Sequence, residues 1–160
     1  MSPAARTTNG PPSGGPPIGR IVAQAGKALD RAFDDALSSA GGSRPTWLIL
    51  LAVKTGAGGA QATIAARVGV TGPTLVHHLD RLDAAGLISR HRDPGNRRLQ
   101  AITLTPDGEA MFTRLRGAAV AFDRRLRNGV TDDDLATLRR VLPTMQHNVI
   151  STATETEDRA

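Results

Sequence analysis

Thr71, Gly72, Pro73, Thr74, His77, His78 and Arg81 fall within eleven positions, and Arg90, Arg92, Arg97 and Arg98 follow within seventeen more. Hydroxyls, imidazoles and guanidinium groups in this order suit hydrogen bonding to base edges and pairing with phosphates. They do not suit catalysis. No Gly-rich phosphate loop with its Lys, no HExxH and no nucleophile elbow occurs in the chain. The Asp132-Asp133-Asp134 run reads as a helix N-terminus, not a catalytic cluster. No enzyme and no cofactor is expected. His77 and His78 are neighbours, about 100° apart on a helix, which is poor chelating geometry. With no Cys in the chain, no metal site, disulfide or thiol switch is expected either.

These residues need a frame. From Gln61 the sequence reads as a short amphipathic helix with Ile64 and Val68 inward and Ala65 small at a close crossing. Gly69 then supplies a turn, Val70 plugs the corner, and Thr71 is placed to cap a second helix with Gly72 and Pro73 in its first turn. Leu75, Leu79 and Leu82 share one face of that helix, so Thr74, His77 and Arg81 lie on the other. His78 sits at the edge of the apolar face, where a half-buried, hydrogen-bonded histidine competes with a DNA contact. Arg81 has an alternative role in a salt bridge, because Asp80 and Asp83 are close. Leu87–Arg92 and Leu99–Thr105 read as antiparallel strands joined through Asp93-Pro94-Gly95-Asn96, with Arg97 and Arg98 at the tip. A narrow minor groove would attract an inserted Arg. The competing reading is a solvated basic turn in which Asp93 holds an Arg.

The flanks are helical. Residues 1–17 are rich in Pro, Gly, Ser and Thr and are expected to form a disordered arm. A first helix begins at Ile18 and ends at Gly41-Gly42, and a second begins near Pro45 and closes at Gly56. Thr105-Pro106-Asp107 starts a long helix ending at Asn128-Gly129. Thr131 caps a last one, in which Pro143 is expected to cause a kink or break near residues 139–142. Residues 151–160 read as a flexible tail. The expected organisation is therefore an arm (1–17), an N-terminal dimerisation helix (18–44), a helix-turn-helix lobe with a small β-wing (45–105), C-terminal dimerisation helices (106–150) and the tail. The apolar stripes of the flanking helices need covering. A second copy of the chain is the favoured cover; a monomeric bundle is the alternative.

The 160 residues allow one domain with a sizeable core. No apolar run approaches the roughly 20 residues of a membrane span, and no signal core is apparent at the N-terminus, so a cytoplasmic location is expected. The net charge of +5 suits a polyanionic partner. With 18 Arg against 2 Lys, part of it reflects residue usage.

The segments A-A-R-V-G-V-T-G-P-T-L-V-H-H-L-D-R-L-D-A-A-G-L-I and D-P-G-N-R-R-L-Q-A-I-T-L-T-P-D-G resemble the MarR family of winged helix-turn-helix regulators. With its flanking helices the similarity covers about residues 18–150. The resemblance implies a mainly α fold with a β-wing and a homodimer interlocked through its terminal helices. It also implies two lobes on a pseudo-palindromic operator in double-stranded DNA, with repression as the default. A small aromatic or anionic effector between lobe and dimer domain would lower DNA affinity. The recognition helix would start near Thr71 and the wing arginine would be Arg97 or Arg98. Gly95 and Asn96 stand where the family's wing commonly has Arg and Asp, and His78 where it commonly has an apolar residue. The absence of Tyr leaves any effector pocket without phenolic hydrogen bonds. The competing function is a non-specific architectural or protein-interaction module.

Overall fold

The computed structural model describes residues 15–57, 61–92 and 100–157. Helices dominate, in the order α1 (Ile18–Ser39), α2 (Arg44–Ala52), α3 (Gln61–Val68), α4 (Gly72–Ala84), α5 (Pro106–Leu126) and α6 (Asp132–Glu157). Between α4 and α5 lies a two-stranded antiparallel sheet, β1 (Ile88–Arg92) and β2 (Gln100–Leu104). Its register pairs Ile88 with Leu104 and Arg92 with Gln100. None of the described helices is long and apolar enough to cross a membrane. The expected N-terminal arm falls almost wholly outside the described residues.

The chain divides into two compact units, residues 1–119 and 120–160. The first holds the core. Ile49, Leu50, Ile64, Leu75, Leu79 and Ile88 are fully or almost fully buried, and so are Leu37 of α1 and Leu115 of α5. The end of α1 and the start of α5 thus belong to the lobe's own core, which a boundary at 45–105 leaves out. Trp47 of α2 stacks on Phe112 of α5, with centroids 5.5 Å apart. Two ion-paired struts fix the frame. Arg44 at the start of α2 reaches both Asp30 and Asp34 of α1 at 2.8 Å, which raises its pKa above the ordinary guanidinium value. Lys54 pairs with Glu109 of α5 at 2.7 Å.

Local chemistry sets the helix ends. Ser43 caps α2, accepting from the Thr46 amide. Gly41, Gly69, Gly86 and Gly129 take positive φ where α1, α3, α4 and α5 stop. Thr105 does two jobs. Its hydroxyl accepts from the Gly108 amide at 3.0 Å, capping α5, and donates to the Gly86 carbonyl, tying α5 to the turn after α4. Gly108 is forced by that contact, because a Cβ there would stand 1.9 Å from the Leu87 carbonyl oxygen. In the second unit Thr131 and Asp134 form a reciprocal cap on α6. The Asp134 amide donates to the Thr131 hydroxyl, and the Asp134 carboxylate accepts from that hydroxyl and from the Thr131 amide.

Two expectations about α6 need correction. The helix runs through Pro143 without a break. Proline forfeits only its own hydrogen bond to the Arg139 carbonyl, and the Thr144 hydroxyl donates to the next carbonyl, Arg140, at 3.1 Å. The helix also continues past Ile150 to Glu157, since no Gly or Pro intervenes to stop it.

Candidate nucleic-acid interface

Helix α4 is a three-sided object. Its inner side, Leu75, Leu79 and Leu82, is buried against α3, α2 and the sheet. Its crest and shoulders, Thr71, Gly72, Pro73, Thr74, Val76, His77, Asp80 and Arg81, are exposed. Helix α3 holds it in place through Ile64 and Ala65, both buried, with Val70 packed on the core at the corner. Arg67 of α3 reaches back to the Thr55 hydroxyl at 3.0 Å, pinning α3 to the π-helical turn Val53–Ala57 that follows α2.

Thr71 occupies the cap position of α4, but its side chain caps nothing. A capping hydroxyl serves the second or third amide of a helix. Here the second residue is Pro73, which has no N–H. The Thr71 hydroxyl instead bonds the Thr74 hydroxyl at 2.9 Å. Both oxygens stay on the exposed surface with spare lone pairs.

Adjacent His77 and His78 part company. His77 is exposed, while His78 is half-buried with its ring tilted 54° to that of His77. His78 lines a 310 Å³ cavity together with Arg81, Leu82 and Ala85 of α4, Ser43, Thr46 and Ile49 from the start of α2, and Met111 of α5. One flank of α4 is therefore a cavity wall. The hydrogen bond expected for His78 is not found among the described residues.

The opposite flank faces the sheet. Arg90 of β1 reaches Asp80 at 2.8 Å and Asp83 at 3.8 Å. Sequence spacing made these carboxylates candidate partners for Arg81, and placed Arg90 with the wing's exposed arginines. The structure reassigns both. The strand runs antiparallel to its partner beside α4 and points Arg90 inward at the acids, leaving only 16% of its side chain exposed. Arg81 makes no ion pair among the described residues and stays exposed. The reassignment needed tertiary structure, because a strand and a helix ten residues apart in sequence set no fixed geometry.

Arg92 ends β1 opposite Gln100. Its side chain, and Asp93, Gly95, Asn96, Arg97 and Arg98 of the expected wing tip, lie outside the described residues.

Residues 41–99 match the MarR family. Solved structures similar to this chain include CouR from Rhodococcus jostii RHA1 bound to p-coumaroyl-CoA, at 26% identity and a TM-score of 0.68 over 80% of this chain and 90% of that one. The transcriptional repressor CouR bound to a 23-mer DNA duplex matches at 26% identity and a TM-score of 0.70, over 81% and 92%. Transcriptional regulator PA3341 matches at 29% identity and a TM-score of 0.69, over 84% and 99%. The order of helices, the two-stranded wing base and the exposed second helix are the architecture that these proteins share. The family is one of regulators and not of enzymes. The winged helix-turn-helix segment of this chain belongs to the MarR family of DNA-binding transcriptional regulators.

Proposed function

We propose that the chain is a homodimeric, sequence-specific repressor that binds a pseudo-palindromic operator and releases it when a small organic anion binds. The observation that carries this reading is the exposed crest of α4 beside the sheet, with Thr71, Gly72, Pro73, Thr74 and His77 at its leading end and Arg81 unpaired among the described residues. A helix presented in this way enters a major groove, while the following β-hairpin reaches the backbone or the next minor groove. Arg92, Arg97 and Arg98 are the wing contacts in this reading. His78 is assigned to the groove edge, shared with the cavity wall. The repressor CouR, seen with a DNA duplex, is a relative in which such an assembly has been captured.

Dimerisation is supported by apolar side chains left exposed on the terminal helices. They include Ile18, Ile21, Val22 and Leu29 on α1, and Leu138, Leu142 and Val149 on α6. A second copy covers them. The effector is assigned to the cavity beside α4, where Arg81 and His78 offer positive or hydrogen-bonding edges and Ile49, Leu82, Leu87 and Met111 offer an apolar floor. A CoA thioester occupies the relative CouR. In this chain the cavity volume of 310 Å³ suits a smaller aromatic or aliphatic carboxylate.

Selection of bound sequences from a random DNA pool tests the reading. The expected product is a palindrome with half-sites about one helical turn apart. A featureless pool would favour an architectural DNA-binding module.

A further inference from the structure

The leading two turns of α4 contain none of the side chains that read bases bidentately. From Thr71 to Asp80 there is no Arg, Lys, Asn or Gln. The exposed groups there are two mutually bonded threonine hydroxyls, one imidazole, a carboxylate already held by Arg90, and hydrocarbon. The hydrocarbon is Pro73 and Val76. Val76 is 40% exposed, and it is the only large apolar side chain left exposed among the described residues between Ala40 and Ala119. Every other such residue in this stretch is at least partly covered by the lobe.

Val76 is also an awkward choice for a solvent-facing helix position. A β-branched residue loses side-chain freedom there and lowers helix propensity. In return its two methyl groups are held in essentially one rotamer. They sit one turn before Asp80, on the flank that faces β1. The Arg90–Asp80 pair does two things for that flank. It fixes the flank to the strand, and it offsets a carboxylate charge that would otherwise repel DNA phosphates next to Val76. The outcome is a rigid apolar knob, charge-compensated, at the edge of the surface assigned to the groove.

Only one base offers such a knob a hydrocarbon partner in the major groove, and that is thymine, through its C5-methyl. We propose that Val76 is a specificity-determining residue that packs on a thymine methyl in each half-site. Base choice by the leading turns of α4 then rests on methyl contact more than on bidentate hydrogen bonds. This inference rests on the DNA-reading role assigned above.

The test uses the operator recovered by selection and replaces each thymine in turn by deoxyuridine, which removes the methyl alone. Wild-type protein should lose about four-fold in affinity at one thymine per half-site, the worth of one buried methyl-sized group. Val76→Ala should bind the unmodified operator correspondingly more weakly and be indifferent to uridine at that position, while keeping its sensitivity elsewhere. Val76→Ile, with its larger apolar surface, should retain the methyl dependence. A purely structural role for Val76 would weaken binding to both duplexes alike and leave the uridine penalty unchanged, which would overturn the proposal. If selection recovers no preferred sequence at all, the DNA-reading role fails along with it. A defined operator with no methyl-dependent position at Val76 sinks the Val76 assignment alone.

Discussion

At the scale of single residues, the division of labour along α4 is set by which charges find partners. Arg90 takes Asp80 and Asp83, so Arg81 remains available to a phosphate or a guanine. Arg81→Ala should weaken operator binding by about 1.5 kcal/mol, roughly ten-fold. It should also lower the slope of log affinity against log salt by about 0.9 if the contact is to one phosphate. An unchanged slope and affinity in the folded variant would remove Arg81 from the interface. Arg90→Met should act differently. The pair is half exposed on the acidic side, so the loss in stability should be about 1 kcal/mol. Operator affinity should fall as well, because two carboxylates lose their compensation. Thermal melts and titrations of the same variant separate the two effects. The split between His77 and His78 was readable from helical spacing alone, since Leu75, Leu79 and Leu82 define the inner side. The partner of Arg90 was not, because it depends on where a strand lies against a helix. Thr71 shows a subtler gap. Its cap position was legible, but Pro73 removes the amide its hydroxyl would have served.

At the scale of elements, turns and caps carried most of the readable signal. Gly41, Gly69 and Gly129 end their helices as expected, and Thr105 and Thr131 begin theirs. Proline misled in α6, where one missing hydrogen bond proved insufficient to interrupt a long helix. Packing at Gly108 had no sequence signal beyond a glycine in a first turn, and it yields a sharp expectation. Gly108→Ala forces a Cβ against the Leu87 backbone. Backbone cannot rotate away as a side chain can, so the variant should lose about 3 kcal/mol, measurable by urea unfolding. A loss under 0.5 kcal/mol would show that α5 and the α4–β1 turn approach less closely. The cap of α6 titrates. Hydrogen bonds from the Thr131 hydroxyl and then its amide hold the Asp134 carboxyl below its ordinary value. A depressed carboxyl contributes stability above the unfolded pKa and loses it as pH falls through the folded one. Thr131→Ala should return the Asp134 titration toward its ordinary position near 3.8 and make the acid limb of the melting curve shallower. NMR titration of Asp134 reads this directly.

At the scale of the whole molecule, the proposal is a reader built from two copies. The exposed apolar side chains of α1 and α6 set the expectation that shortening the chain after Arg127 shifts the protein from dimer to monomer in sedimentation. Persistence of a dimer of normal stability would place the interface elsewhere. Dimerisation matters to function because each lobe offers few base-reading groups, and affinity for one half-site alone would be modest. Two linked half-sites multiply that selectivity. The central claim is therefore sequence-specific recognition, and competition between the selected operator and random DNA at a fixed, stated salt concentration tests it most directly. The account predicts a preference of at least about 10³-fold for the operator, reduced by an organic anion that fits the cavity beside α4. Equal affinity for operator and random DNA would contradict it.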